Sequence, residues 1–384
     1  MTSEERREAR YQRRRAKRQA NKQARNDMVG PLEKAFSYRA MFLYGLKCCT
    51  GVRWKYSTQT FELHLFSGTA KRRRKVLNGT WKQANTVHFT LKERGKIRPI
   101  DAPHINDRQI HKTLSKNVLV PLYSPSMIYD NGASQKDKGL HFHYERLKNQ
   151  LREHYRKNGP TGAIFLSDFH QFFPSAPHAA LYSRHQELIL DIEIRTVADK
   201  VLQAVPGGVG MPLGIEPSQQ EMVALPSALD NFVKCQLSVH AMGHYMDDYE
   251  MILDTRERAE EVQEIFMARA ENMGLQINRD KCKIVDFSKP FRFCKVKFLI
   301  TETGGIITHG SRDSMKRARR KFRYFHDKME SGEMTREKAT EKAAEVLQSH
   351  VAYYSNFNDH GRVLHLRRLF YALFIKGNEQ NNGG

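Results

Sequence analysis

The chain has 384 residues, with 64 Lys and Arg against 42 Asp and Glu, a net charge of +22, and 40% hydrophobic residues. This apolar content excludes a wholly disordered chain and is enough for two or three packed subdomains. So large a positive excess repels itself unless a polyanion is the partner, nucleic acid first and an anionic membrane second.

Residues 1–26 contain ten Lys and Arg and three Asp and Glu. Their Arg/Ala/Gln/Lys composition favours helix but offers nothing to bury. The segment therefore reads either as an arm that orders on a phosphate backbone or as a solvated tail. The apolar spacing of LEKAFSYRAMFLYGLKCC predicts an amphipathic helix from Leu32, followed by an aromatic-rich stretch to Phe66 and the basic run Lys71, Arg72, Arg73, Arg74 and Lys75. VHFTLKERGKIRPIDAP alternates as a hairpin turning near Arg94–Gly95. HINDRQIHKTLSKNVLVPLY reads as a helix with Ile105, Ile110, Leu114 and Val118 on one face. GAIFLSDF is a strand, a helix follows Pro177, and a glycine-rich loop at 207–214 opens a long helix through Phe232. HYMDDYEMIL places two short apolar runs around an Asp pair, ahead of a helix at 255–273 and three strand-like pieces ending at Ile307. Beyond Ser311 the pattern is helical and basic. The order is mixed α/β rather than a doubly wound repeat.

Five cysteines, odd in number and without a C-x-x-C spacing, argue against a disulfide framework and a cysteine zinc site. Neither a signal-peptide core nor a run of about 18 to 20 apolar residues occurs, so the composition reads as cytoplasmic, with no membrane partner. HFH at His141 and His143 lies in a helical pattern, which predicts phosphate contact or surface packing rather than a zinc site. Gly207, Gly208, Gly210 and Gly214 fail the G-x-G-x-x-G spacing because Leu213 stands where the third glycine is needed.

Acids stand where apolar strands end: Asp168 in FLSDF, and Asp247 and Asp248 in YMDDY. An isolated Asp pair is often only a hairpin turn. If the two strands are neighbours, however, these carboxylates converge on hard divalent cations with oxygen ligands, as two magnesium ions prefer for in-line phosphoryl transfer.

With these acids in place, the sequence resembles the reverse transcriptase family. GKIRPIDAPHINDRQIHKTL resembles the fingers segment, SDFHQFFPS motif A, MPLGIEPSQ motif B, YMDD motif C, GLQINRDKCKI motif D and FCKVKF the primer-grip hairpin. The resemblance implies an α/β (α+β) fold: a right-hand palm-fingers polymerase with an antiparallel palm sheet and a basic helical thumb. It divides the chain into a basic arm (1–30), an N-terminal helix with fingers (31–160), a palm (161–310), a thumb (311–376) and a disordered tail (377–384). The implied activity is RNA-directed DNA synthesis with Asp168, Asp247 and Asp248 holding two Mg2+. Lys96 and Arg98 would grip the triphosphate, and Gly214, Gln219 and Lys281 would line the nucleotide site. Phe173 placed against the sugar would collide with a 2′-hydroxyl and so select dNTPs, unless it and Phe172 are both core. Lys71 to Arg74 and Lys316, Arg317, Arg319, Arg320 and Lys321 would follow nucleic acid. The implied partners are an RNA template, a DNA or RNA primer and dNTPs, with room for a small accessory RNA-binding protein.

Leu213 replaces the glutamine common before the motif B glycine, and Leu213 to Gln219 match the LGxxxSQ form that resembles diversity-generating retroelement enzymes. An antiphage-defence or retron-type enzyme, or a non-catalytic maturase-like RNA-binding protein, is the alternative. Cys294 and Lys295 depart from the Leu-Gly usual in the primer-grip turn.

Overall fold

The structure is a computed structural model and describes residues 2–93 and 95–376, without the side chains of Glu93 and Lys96. Arg94 of the expected hairpin turn and the expected tail at 377–384 lie outside the described residues.

The basic arm is a formed helix, α1 (Ser3–Val29), opened by a capping box between Thr2 and Glu5. Its base is tied down: the Asn26 amide donates to Leu188 O at 3.1 Å and its oxygen accepts from Leu190 N–H at 3.0 Å. The helix expected from Leu32 is two helices, α2 (Leu32–Ala35) and α3 (Tyr38–Cys49). The break lets Phe36 turn fully into the core. The aromatic-rich stretch and the basic run are helical, α4 (Tyr56–Leu63) and α5 (Leu65–Leu77).

Strands β1 (Val87–Glu93) and β2 (Lys96–Ala102) pair antiparallel as a two-stranded sheet of their own. Helix α6 (Ile105–Leu114) runs through a π-helical turn at Ser115–Leu119 into α7 (Val120–Tyr123). Ile105, Ile110, Leu114 and Val118 are all buried, as their spacing predicts. Helix α8 (Leu140–Asn158) leads to the central sheet.

That sheet is built from β3 (Ala163–Asp168), β4 (Met242–Tyr245), β5 (Asp248–Leu253) and β6 (Lys283–Asp286) in the order β4-β5-β3-β6, every pair antiparallel. Helices α9 (His178–Leu188), α10 (Ile192–Gln203), α11 (Glu216–Ala224) and α12 (Ser227–Cys235) separate β3 from β4, and α13 (Arg256–Asn272) follows β5. The long helix expected through Phe232 is therefore broken at Leu225–Pro226, where proline has no N–H to continue the ladder.

Both faces of the sheet are covered. Ala163 and Phe165 enter one core with Tyr249, Met251 and helical Phe266, while Ile164 and Leu166 enter the opposite core with Ile252 and Leu147 of α8. Because both faces are packed, AIFL at 163–166 and MIL at 251–253 are continuous apolar runs rather than alternating ones. The second core is closed by a three-stranded sheet, β7 (Phe291–Phe293), β8 (Val296–Ile300) and β9 (Ile306–His309); with β6 this makes four short strands where three pieces were expected.

The C-terminal helices α14 (Arg312–Glu330), α15 (Arg336–Tyr354) and α16 (His360–Phe370) have a core of their own around Ala318, Phe322, Ala343 and Leu366. Among the described residues no helix is long and apolar enough to cross a membrane.

Candidate active site

The sheet closes the 79-residue gap between the acids. Asp168, the last residue of β3, is the direct cross-strand partner of Asp248, the first residue of β5. Asp247 sits in the turn before it, where its carbonyl accepts from Phe169 N–H at 3.1 Å. Like charges held opposite one another are unfavourable, and the surroundings answer them. Lys281 Nζ lies 2.6 Å from Asp168 Oδ2, and the Asn278 amide donates to Asp168 Oδ1 at 3.1 Å. Burial opposes the charge of Lys281, but Asp168, with Asp248 and Asp247, raises the ammonium above its ordinary value. The Cys294 thiol donates to Asp248 Oδ2 at 3.4 Å. Burial, reinforced by Asp247 and Asp168, still pushes the Asp248 carboxyl up to about 7. Among the described residues no three His, Cys, Asp or Glu side chains form a ready metal cage.

Two backbone turns with left-handed residues meet at Asp248. Met246 has φ +58°, and Cys294 and Lys295, in the β7–β8 turn, have φ +43° and +72°. The Leu-Gly that Cys294 and Lys295 replace would put glycine at the second left-handed position. The Met246 turn is held from beneath: His244 Nε2–H donates to Met246 O at 2.6 Å, while its Nδ1 faces Asp230 Oδ2 at 3.1 Å. Tyr249 stacks on the His244 ring at 4.3 Å and donates its hydroxyl to Asp230 Oδ1 at 2.7 Å. Burial opposes protonation of His244, but Asp230 and the Met246 carbonyl hold its pKa above the ordinary imidazole value. Sequence reading missed this group, and its only trace was a histidine directly before YMDD.

A cavity of about 1250 Å³ opens beside the acids, lined by Asp168, Asp247, Lys281, Arg98, Phe173, Leu213, Gly214 and Gln219. The structure thus brings together most of the predicted nucleotide-site residues. Lys96 lies at the start of β2, but its side chain is outside the described set. Phe172 is core and Phe173 is half-buried at the cavity wall. Leu213 O accepts from Asp101 N–H at 2.9 Å, docking the loop on β2. Gly214 has φ +114°, and a Cβ there would lie 3.0 Å from Asp101 O. The Gln219 amide donates to Ser134 Oγ at 2.7 Å. Arg108, Lys112 and Lys116, four residues apart on the α6 side, also line the cavity, with Glu216 pairing Lys112 at 2.7 Å.

Other predicted residues lie elsewhere. Lys71 and Arg74 are exposed, but Arg72 turns inward over the Phe61 ring at 4.7 Å and donates to Asn106, and Arg73 donates to Phe36 O. The basic run is therefore only partly a surface patch. Lys316, Arg319, Arg320 and Lys321 are exposed on α14 and Arg317 is half-buried, while Ala318 and Phe322 face the core. His143 corrects the surface reading of HFH: it is 1% exposed and pairs with buried Glu250 at 3.0 Å. A second cavity of about 930 Å³ is lined by Lys283, Arg292, Lys295, Lys297, Arg312 and Arg362. No motif had singled out these cations as a group.

The family model for reverse transcriptase (RNA-dependent DNA polymerase) matches residues 90–302, more than half of the chain. The chain belongs to the reverse transcriptase family. Its α+β fold is related to that superfamily, and the matched span holds all three acids and the large cavity's lining from Ile97 onward. Among solved structures, the chain is similar to telomerase from Candida albicans, in a complex with the TWJ fragment of telomeric RNA. The identity is 11% and the TM-score 0.46, over 78% of this chain and 61% of that one. The chain thus spans about three-fifths of that chain's length. No curated protein matches by sequence.

Asp230, His244 and Tyr249 are at most 1% exposed, so removing one partner strands the others. Asp230→Ala is expected to cost about 3 to 5 kcal/mol in urea unfolding, against little change for exposed Asp254→Ala. Because the His244 pKa is raised on folding, the pair's contribution is whole below about 6.5, the unfolded imidazole value, and fades as pH rises through the folded value. The gap between wild type and Asp230→Ala should therefore narrow at alkaline pH, and a constant gap would show that charge is not involved.

Proposed function

We propose that the chain is an RNA-directed DNA polymerase that adds dNTPs to a primer 3′-hydroxyl. The observation that carries the reading is the pairing of Asp168 with Asp248, with Asp247 in the adjoining turn and Asp168 and Asp247 lining a cavity of about 1250 Å³. In this reading residues 1–30 are an arm, 31–160 carry the fingers, 161–310 the palm and 311–376 the thumb.

The donor set fits magnesium. Asp168 and Asp248 are cross-strand partners and Asp247 precedes Asp248 in the turn, which offers the oxygen-only chemistry a hard divalent cation takes. Burial with the two neighbouring acids pushes the Asp248 carboxyl up to about 7. Asp168, Asp247 and Asp248 would hold the ions, which when bound supply Lewis-acid stabilisation of attacking and leaving oxygens.

The protein's own groups do the rest. Lys281 and Asn278 orient the Asp168 carboxylate, and Cys294 orients Asp248. Arg98, which lines the cavity from β2, would meet the triphosphate. Phe173 closes the space a 2′-hydroxyl would need. The cations of the second cavity adjoin the turn that reaches Asp248, which suits a primer backbone, and the outer face of α14 suits the template–primer duplex. Leu213 places an apolar side chain where a hydrogen-bonding one is more usual, which favours an enzyme of the diversity-generating type.

Asp247→Asn keeps shape and removes charge. RNA affinity should persist while dNTP incorporation falls roughly a thousandfold, the equivalent of several kcal/mol of transition-state stabilisation. Near-normal primer extension by this variant would sink the mechanism. Phe173→Val should lower the dNTP-to-rNTP ratio of kcat/KM by about tenfold or more, and an unchanged ratio would return the ring to the core. Leu213→Gln, if it restores one hydrogen bond worth about 1 kcal/mol, should cut misincorporation several-fold, most visibly opposite template adenine. An unaltered error spectrum in sequenced products would reject the diversity-generating assignment and leave the polymerase reading intact.

A further inference from the structure

Among the described residues outside the hairpin β1–β2, the most exposed apolar side chains lie between the end of α3 and the start of α5. Trp54 is 76% exposed, Tyr56 83%, Leu63 80% and Phe66 73%. Tyr56 and Leu63 are seven residues apart and share the α4 face opposite buried Thr58 and Phe61. Phe66 is set edge-on to Tyr38 at 5.4 Å and to Phe42 at 6.3 Å. The scaffold beneath is well packed, with Phe61, Leu65, Cys48 and Cys49 forming a small core. The rings are therefore held outward by a fixed support.

Side chains this apolar and this exposed, so close together in the chain, mark a surface that meets a partner. The charge around them selects its class. Residues 38–66 contain Arg39, Lys47, Arg53 and Lys55 against one acid, Glu62, and that acid is occupied by Arg53 at 2.9 Å. The Lys55 ammonium stands over the Trp54 ring at 5.2 Å. Aromatic faces interleaved with cations match unpaired bases and their phosphates, because every base has a π-face. A paired duplex hides those faces. An apolar protein surface would meet the cations without compensation.

We propose that Trp54 and Tyr56, with Lys47 and Lys55 nearby in the chain, form a stacking platform for single-stranded RNA. The choice of RNA rests on the function proposed above; the platform itself needs neither the aspartates nor a metal nor a dNTP. Cys48, near the end of the helix α3 that leads into this stretch, lines the large cavity. A template must be unpaired before it reaches that cavity.

The two tryptophans make the test direct. Trp81 is 4% exposed and donates its indole N–H to Asp107, whereas Trp54 is open to solvent. Titrating the full chain with oligo(U), without metal or dNTP, should quench the red-edge emission of Trp54, and a blunt RNA duplex should not. Trp54→Ala is expected to abolish that signal and weaken oligo(U) binding about tenfold in a filter assay, with thermal unfolding and duplex affinity unchanged. Asp247→Asn should titrate like wild type, so that failure of the copying reading leaves this result standing. Oligo(U) binding without quenching, or equal weakening for oligo(U) and duplex, would overturn the platform. So would a blue shift that grows with protein concentration alone together with a doubled mass in sedimentation, which would assign the patch to a second copy of the chain.

Discussion

The antiparallel register of β3 against β5 is the constraint on which the candidate site depends. A slip of one residue would turn every side chain of β3 to the other face, exchanging Phe165 and Leu166 between two different cores and carrying Asp168 away from Asp248. Because both faces of the sheet are packed, neither core tolerates that exchange. Apolar burial along β3 and β5 thereby forces two carboxylates together at the one end of the strands where their repulsion has to be met by other groups.

Those groups come from three separate places. Lys281 and Asn278 arrive from the segment before β6, Cys294 from the β7–β8 turn, and the His244–Asp230–Tyr249 group from beneath the β4–β5 turn. Two of these places use non-glycine residues in the left-handed region, a conformation that costs on the order of 1 to 3 kcal/mol and persists only where neighbours over-determine it. Tyr144 supplies part of that restraint by donating to Cys294 O at 3.0 Å, and His244 does the same for Met246. Buried polar pairs such as His143–Glu250 then lock α8 against β5, so the covering layer and the acid-bearing strand cannot shift independently.

The positive charge is distributed by the same packing. On α14 the apolar residues turn inward and most of the basic ones outward, and α1 projects its cations from a base pinned at Asn26. On α5, by contrast, Arg72 and Arg73 satisfy carbonyl and amide oxygens of the fold. Long basic side chains can serve either purpose, since the aliphatic stem packs well and the guanidinium finds acceptors wherever a backbone is left unpaired.

What the sequence determined by itself was whatever depends on local period and spacing. The alternation of VHFTLKE, the helical face of Ile105, Ile110, Leu114 and Val118, and apolar strands ending in Asp168 and Asp248 all follow from nearest-neighbour geometry, and they survive in the structure. The ordered motifs of a reverse transcriptase were legible for the same reason, since each is a short local string. Only the tertiary structure decided that Phe36 breaks a helix to fill a core, that His143 is buried against Glu250, that Arg72 turns inward, that Cys294 reaches Asp248, and that Asp230 holds the His244 beneath the acid-bearing turn. Most of these contacts join residues far apart in the chain, and a polar side chain carries no local mark of whether its partner will be water or a distant buried group. That choice is made by which apolar faces pack first, because burial removes the water and leaves each polar group to the partner the packing has put within reach.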